Sequence, residues 1–213
     1  IYTLPHGMWD TNTYVLSDGN ECAVIDCGAK AGEVVSVAEK HGLNIKYIIL
    51  THGHFDHTYH VRSLKELTEA KLCLHESELE LYRNPDMNGY GMFGGLSPLG
   101  LPEPDVLLQD GSALEVGGLK IRIIHTPGHT PGCVVLLGDD DGSPVVFSGD
   151  VLFAGSIGRV DLPGGSMAQM RSTLRKLRTA IKASASILPG HGPSTTMARE
   201  LAANPYLTEE MLA

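Results

Sequence analysis

Three histidines and an aspartate crowd into Thr51-His52-Gly53-His54-Phe55-Asp56-His57, directly after the apolar run Tyr47-Ile48-Ile49-Leu50. Imidazole and carboxylate are ligands for divalent cations, and a run of them at the end of a buried strand is suited to holding metal. In an extended chain residues i and i+2 project to the same side, so His52 and His54 can converge on one ion while Asp56 and His57 point elsewhere. Four ligands this close cannot share one tetrahedral centre without strain, which makes two neighbouring ions the economical reading. A chance polar run in a loop is the alternative, but three of the ten histidines in the chain fall within these six residues.

Three further donors stand far away in sequence but in similar settings. His129 lies in Thr126-Pro127-Gly128-His129-Thr130-Pro131-Gly132, Asp150 in Ser148-Gly149-Asp150, and His191 in Pro189-Gly190-His191-Gly192-Pro193. Each follows a strand-like apolar run, at 119–124, 145–147 and 186–188, so each is delivered by a loop at a strand end, stiffened by Pro or freed by Gly. Singly, His129 or His191 reads as an ordinary loop histidine. With the first cluster they complete a set of seven donors.

The elements that must position these donors fall into two similar groups. The first half reads as strands at 13–16, 22–26, 47–50 and 71–74 with helices near 31–41, 62–69 and 77–82. The second half reads as strands at 119–124, 134–137, 145–147 and 186–188, with a helix over 167–180 capped by Ser166. No linker separates them, and 213 residues suit one domain spanning 1–213. Two strand groups with helices segregated outside predict an α+β fold, a four-layer α/β/β/α sandwich, with the metal loops facing each other at one edge.

The chain resembles the metallo-β-lactamase fold superfamily, and specifically its glyoxalase II-like hydrolases, over almost its whole length. The likeness rests on T-H-x-H-x-D-H at 51–57, T-P-G-H-T-P-G at 126–132, S-G-D at 148–150, G-R-x-D-L-P-G-G at 158–165 and P-G-H-G-P at 189–193. The resemblance implies that His52, His54 and His129 hold one metal, that Asp56, His57 and His191 hold the other, and that Asp150 bridges them. It also implies the four-layer fold. The ligand types suit zinc foremost, and iron or manganese as well.

A bound metal lowers the pKa of water from 15.7 to about 7, so a hydroxide bridging two ions is available at neutral pH without a nucleophilic side chain. The expected chemistry is attack of that hydroxide on a polarised carbonyl, with Asp56 ligating its metal and orienting the hydroxide. A thiolate, from a thiol of pKa about 8.5, leaves without a dedicated general acid, which favours a thioester. The expected activity is hydroxyacylglutathione hydrolase-like hydrolysis of a small-molecule thioester. Alternatives are a mononuclear iron persulfide dioxygenase, a lactonase or phosphodiesterase, and a non-catalytic metal-binding module.

Substrate residues are less sharply marked. In the glyoxalase II pattern a basic residue after the G-x-G turn and an aromatic two positions later help hold glutathione. Arg159 matches the basic position and Asp161 stands where the aromatic would be. Arg159 is therefore expected either to touch substrate or to form a salt bridge with an acid such as Asp161. The chain ends at Ala213, before the helical domain that the resemblance would lead one to expect, and glutathione dependence is expected to be weak. The stretch 84–105, rich in Gly, Pro, Met and aromatics and without helical or strand period, reads as a lid or binding loop that brings Tyr90, Met92 or Phe93 to the substrate wall, with Leu96 beside them.

A formal net charge of -9 disfavours binding to phosphate backbones, so nucleic acid is not expected as a partner. No apolar run approaches the roughly 20 residues that span a bilayer, and none follows a basic N-terminal segment. The chain begins at Ile1, so a leader could have been removed. Cys22, Cys27, Cys73 and Cys133 show no C-x-x-C spacing and read as small buried thiols of a cytoplasmic protein. His60 and His125 read as supporting or structural residues. Oligomeric state is not legible.

Overall fold

Most of the central strands are apolar on both faces, a pattern that demands cover on both sides of a sheet. The computed structural model describes residues 1–5, 7–93, 100–140 and 142–212, the Phe93 side chain excepted. Six strands in the order β1 (Tyr2–Leu4), β2 (Thr13–Asp18), β3 (Glu21–Ile25), β4 (Asn44–Ile49), β5 (Lys71–His75) and β6 (Val106–Leu108) form the first sheet. The first three pair antiparallel, and β3 to β6 pair parallel. Parallel neighbours need crossovers, which here contain α1 (Ala31–Lys40), the single turn α2 (Phe55–Thr58), α3 (Val61–Thr68) and α4 (Leu79–Arg83).

The second sheet contains β7 (Ala113–Val116), β8 (Leu119–His125), β9 (Val134–Asp140) and β10 (Ser143–Gly149) as a meander. A small hairpin of β11 (Leu152–Phe153) and β12 (Ser156–Ile157) follows, and then α6 (Met167–Ala180), numbered after the short α5 (Pro85–Asn88). The chain then adds β13 (Ser186–Pro189) parallel to β10, and β14 (Thr195–Thr196) at the edge. It closes with α7 (Met197–Ala203) and α8 (Glu209–Leu212).

Alternation along the strands separates three buried layers. Tyr14, Leu16, Ile25, Ile49, Ile121, Leu136 and Phe147 meet between the sheets. The opposite face of the first sheet, with Val15, Val24, Ile48 and Leu72, packs on Val34 and Ala38 of α1 and Val61 and Leu64 of α3. The outer face of the second sheet, with Val135, Val146 and Ile187, packs on Met170, Leu174 and Leu177 of α6 and Met197 of α7. The four-layer sandwich expected from the element order is the fold observed. Ser166 caps α6 as expected, its side chain accepting from the Gln169 N–H.

The differences lie in short or exposed elements. β1, β6, β7, β14, the β11–β12 hairpin, α7 and α8 have too few residues, or too mixed a burial, to show a period. The expected helix at 77–82 is a 3-10 turn, Glu76–Glu78, running into α4. The stretch expected to lack regular structure starts with α5, where Asn84 accepts from the Asp86 N–H at 3.0 Å and Pro85 takes the first helical position. A cap followed by Pro is a helix start, but a four-residue helix carries no periodicity. A 3-10 turn at Tyr90–Phe93 follows, and Leu96 lies outside the described residues.

Leu136 is fully buried between the sheets. Leu136→Ala should therefore cost about 2–5 kcal/mol, read as a lower denaturation midpoint at unchanged m-value. A loss well under that range would show that the sheets do not pack tightly there.

Candidate metal centre

The seven candidate donors are delivered by the ends of β4, β8, β10 and β13, so both sheets contribute. His52 and His54 precede α2, which carries Asp56 and His57. His129 lies in the β8–β9 loop, Asp150 follows β10, and His191 follows β13. The structure brings them together. His54 Nδ1 is 3.1 Å from His52 Nε2 and 2.9 Å from His129 Nε2. On the other side, His191 Nε2 is 3.1 Å from Asp56 Oδ2 and 3.3 Å from His57 Nε2. Asp150 lies between the groups, with Oδ1 3.3 Å from His57 Nε2 and Oδ2 3.6 Å from both His129 Nε2 and His191 Nε2.

Hydrogen bonds behind the donors fix which ring nitrogen faces inward. His57 Nδ1 is 2.8 Å from Asp26 Oδ2, and His129 Nδ1 is 2.7 Å from the Arg159 carbonyl. Both rings therefore donate outward and leave Nε2 bare, the arrangement that orients a metal-binding imidazole. Asp26 also accepts from the Thr51 N–H and hydroxyl, each at 2.8 Å. With its proton engaged there, Thr51 Oγ1 can only accept from His52 Nδ1 at 3.2 Å. On the Asp56 side, Thr11 Oγ1 lies 3.1 Å from Asp56 Oδ2, and the His191 loop is held by the Asn12 N–H on the Gly190 carbonyl at 2.7 Å.

The result is a buried space where lone pairs face lone pairs, and a cation resolves it. The distances of 3.1 and 2.9 Å from His54 Nδ1 to His52 Nε2 and His129 Nε2 match the spacing of roughly 3.3 Å between nitrogens bound tetrahedrally at 2.0–2.1 Å from zinc. Among the described residues, His54 Nε2 and Asp150 Oδ1 are buried without a hydrogen-bond partner. Gly190 keeps the space open, because a Cβ there would fall on Asp150 and His57. Donor types, spacing and the partnerless Asp150 Oδ1 fit divalent metal, while His54 turns its Nδ1, not the partnerless Nε2, toward His52 and His129.

The electrostatics agree. Burial, then the charge of His57, pushes His52 well below its ordinary range. Burial and then His129 take His54 down to about 3. Both stay neutral, as ligands must. Burial opposes charge on His57 too, but Asp26, Asp56 and Asp150 raise it well above its ordinary value. Burial alone would raise Asp150, yet His57, His129 and His191 draw it below the carboxylate range.

A pocket of about 410 Å³ opens onto these donors. Beside His54, Asp56, His129, Asp150 and His191 it is lined by Trp9, Phe55, Met87, Met92, Phe153, Leu162 and Pro163, and by Arg159. Met92 is exposed and lies on this wall. Tyr90 does not line it. Its hydroxyl is 3.1 Å from Thr58 Oγ1 and its ring sits edge-on to Phe55, so it supports the wall from behind. The Phe93 side chain lies outside the described residues. Arg159 makes a bidentate pair with Asp161, at 2.7 and 2.8 Å.

His125 stacks on His75 and its Nε2 meets the Pro131 carbonyl at 2.8 Å, while His60 precedes α3. Neither joins the donor set. All four cysteines are buried and free. Sequence reasoning missed Asp26, Thr11, Trp9 and Phe55. Asp26 had one usable signal, since it ends an apolar strand as the T-H-x-H run does, and β3 and β4 pair in register at Ile25 and Ile49.

Residues 6–191 match the metallo-beta-lactamase superfamily. The chain is 32% identical to hydroxyacylglutathione hydrolase GloC of Haemophilus influenzae, over 95% of this chain and 92% of that one. Among solved structures, the BLEG-1 B3 metallo-beta-lactamase superposes with TM-score 0.87 at 34% identity, covering 97% of this chain and 99% of that one. The TTHA1623 protein in a di-iron-bound form gives TM-score 0.80 at 33% identity, covering 97% and 100%. Among the described residues, no helix is long and apolar enough to cross a membrane.

Asp26→Asn should weaken metal binding about 10–100-fold, because asparagine has one accepting oxygen where Asp26 uses two, so its NH2 group would confront either the Thr51 N–H or the pair of donors from His57 and the Thr51 hydroxyl, and the imidazole loses its orientation. Competition against a chelator measures this, with circular dichroism to show an intact fold. Unchanged affinity would remove Asp26 from the centre.

Proposed function

This chain belongs to the metallo-beta-lactamase superfamily, and from that premise we propose that it is a dinuclear metal-dependent hydrolase of thioesters, hydroxyacylglutathione hydrolase-like in its chemistry. The observation that carries the reading is the division of the donors, with His52, His54 and His129 on one side, Asp56, His57 and His191 on the other, and Asp150 within reach of both. Zinc, iron and manganese all suit such ligands, and the di-iron form of TTHA1623 keeps iron beside zinc as a candidate. Ions held there would acidify water and polarise a carbonyl oxygen.

The chain's own residues do the rest. Asp56, which accepts from the Thr11 hydroxyl at 3.1 Å, would ligate the metal and orient the attacking water. Trp9, Phe55, Met87 and Met92 exclude bulk water from the reacting carbonyl, which strengthens the electrostatics there. Apart from the candidate ligands, the only titratable side chain lining the pocket among the described residues is Arg159, which cannot give up a proton at neutral pH. A leaving group that departs unprotonated suits such a site, and a thiolate does so. A β-lactam nitrogen needs a proton, so the likeness to BLEG-1 is read as one of scaffold. Arg159 is kept as a substrate contact, but its pairing with Asp161 leaves little unshared charge for an anionic glutathione moiety.

A panel of thioesters with and without glutathione, a lactone, a phosphodiester, a β-lactam and glutathione persulfide tests the reading. Thioesters should be turned over best, simple acyl thioesters nearly as well as glutathione ones, and chelation should abolish the activity reversibly. One tightly held iron, with oxygen consumed on adding the persulfide, would replace this function with a dioxygenase.

The apolar wall gives a separate expectation. Met92→Ser should raise KM or change the preference among acyl groups while metal content stays at the parent level. Identical kinetics on every substrate would take Met92 out of the substrate wall.

A further inference from the structure

Glu78 has no part in the chemistry proposed above, yet it is fully buried in a 3-10 turn beside the centre. Burying a carboxylate is costly unless it is well paired, and burial pushes this one up to about 7 against the pull of its hydrogen bonds. Those bonds have a specific geography. Oε1 accepts from the Gly53 N–H at 2.8 Å, between His52 and His54. Oε2 accepts from the Thr130 hydroxyl at 2.9 Å and the Gly132 N–H at 2.6 Å, just after His129. One loop leaves β4 of the first sheet and the other joins β8 to β9 of the second.

The same seam carries one further main-chain bond, from the Val134 N–H to the Thr51 carbonyl at 2.9 Å. A Cβ on Gly132 would strike the backbone of Glu78, so the loop reaches this carboxylate only because glycine stands there. Glu78 therefore spans the gap that must be held constant if His129 is to meet His52 and His54.

We propose that Glu78 is a positioning residue that clasps the two ligand loops, setting the distance of His129 from His52 and His54 and so the affinity of the ion they share. This rests on the reading that those three histidines hold one ion. A carboxylate suits the task because each oxygen can accept from a separate loop. Glutamine has one accepting oxygen, and its NH2 group would confront an N–H on the other side. Aspartate keeps the charge but is one methylene too short to span both loops.

The test loads the whole protein with cobalt(II) or zinc, and reads stoichiometry, affinity by chelator competition, the visible cobalt spectrum and the thermal midpoint. Glu78→Gln, Glu78→Asp and Glu78→Ala are compared with Leu177→Ala, a core variant on α6. The three Glu78 variants should bind the ion of the His52, His54 and His129 group roughly tenfold or more weakly, with an altered cobalt spectrum, and keep the ion of the Asp56, His57 and His191 group. Leu177→Ala should lower the thermal midpoint without changing that ratio. If Glu78→Ala does not fold, the Gln and Asp variants decide. Full recovery in Glu78→Asp would assign the effect to charge and overturn the clasp, as would two ions bound at parent affinity, or both ions weakened only in step with the thermal midpoint. A parent protein that binds a single ion would sink the dinuclear reading. The clasp is then judged by whether that ion loosens equally in His129→Ala and Glu78→Gln, and it fails if Glu78→Gln leaves it unchanged.

Discussion

Seven polar side chains converge in a space where their lone pairs face one another, and nearly everything around them follows from tolerating that. Imidazole nitrogens and carboxylate oxygens about 3 Å apart repel unless positive charge stands between them, and the carboxylates that raise His57 and the imidazoles that lower Asp150 show how strongly the cluster favours such charge. Such an arrangement persists only when the backbone delivering it is stiff. Here the stiffness comes from strand ends of a sandwich with three buried layers. Outward hydrogen bonds from His57 and His129 then turn each ring to present one face.

The site is a seam rather than a pocket within one sheet. His52, His54, Asp56 and His57 come from the first sheet and His129, Asp150 and His191 from the second. Neither half assembles the centre alone. A ligand that binds only the assembled state stabilises it by mass action, so an ion here would add to the bonds that already join the two sheets at this edge, such as Asn12 to Gly190 and Val134 to Thr51.

Much of this was legible in the sequence, and for a definite reason. The donors are grouped at strand ends after apolar runs, so the 52–57 cluster stood out by itself and His129, Asp150 and His191 stood out as a set with it, and two groups of strands with helices outside predicted the layers. What escaped was non-local or too short. Asp26 orients His57 from a neighbouring strand, a relation set by register across β3 and β4. Glu78 joins loops 25 to 54 residues away from a turn that looks like any acidic surface turn. Tyr90 carried the right chemistry for a substrate wall, but the glycine before it, at φ 92°, and its bond to Thr58 turn it behind Phe55. Arg159 and Asp161 are two residues apart, and nothing in the chain distinguishes a residue that grips substrate from one that grips its neighbour.

Position 159 contributes to the site twice, by different atoms. Its main-chain carbonyl holds His129, while its side chain reaches the pocket. A carbonyl is common to every amino acid, so the orientation of His129 does not depend on which residue occupies the position. The side chain at 159 can therefore be exchanged, reshaping this wall of the pocket, without removing the bond that holds His129. Tolerance to mutation and proximity to the candidate metal centre coincide at this one residue.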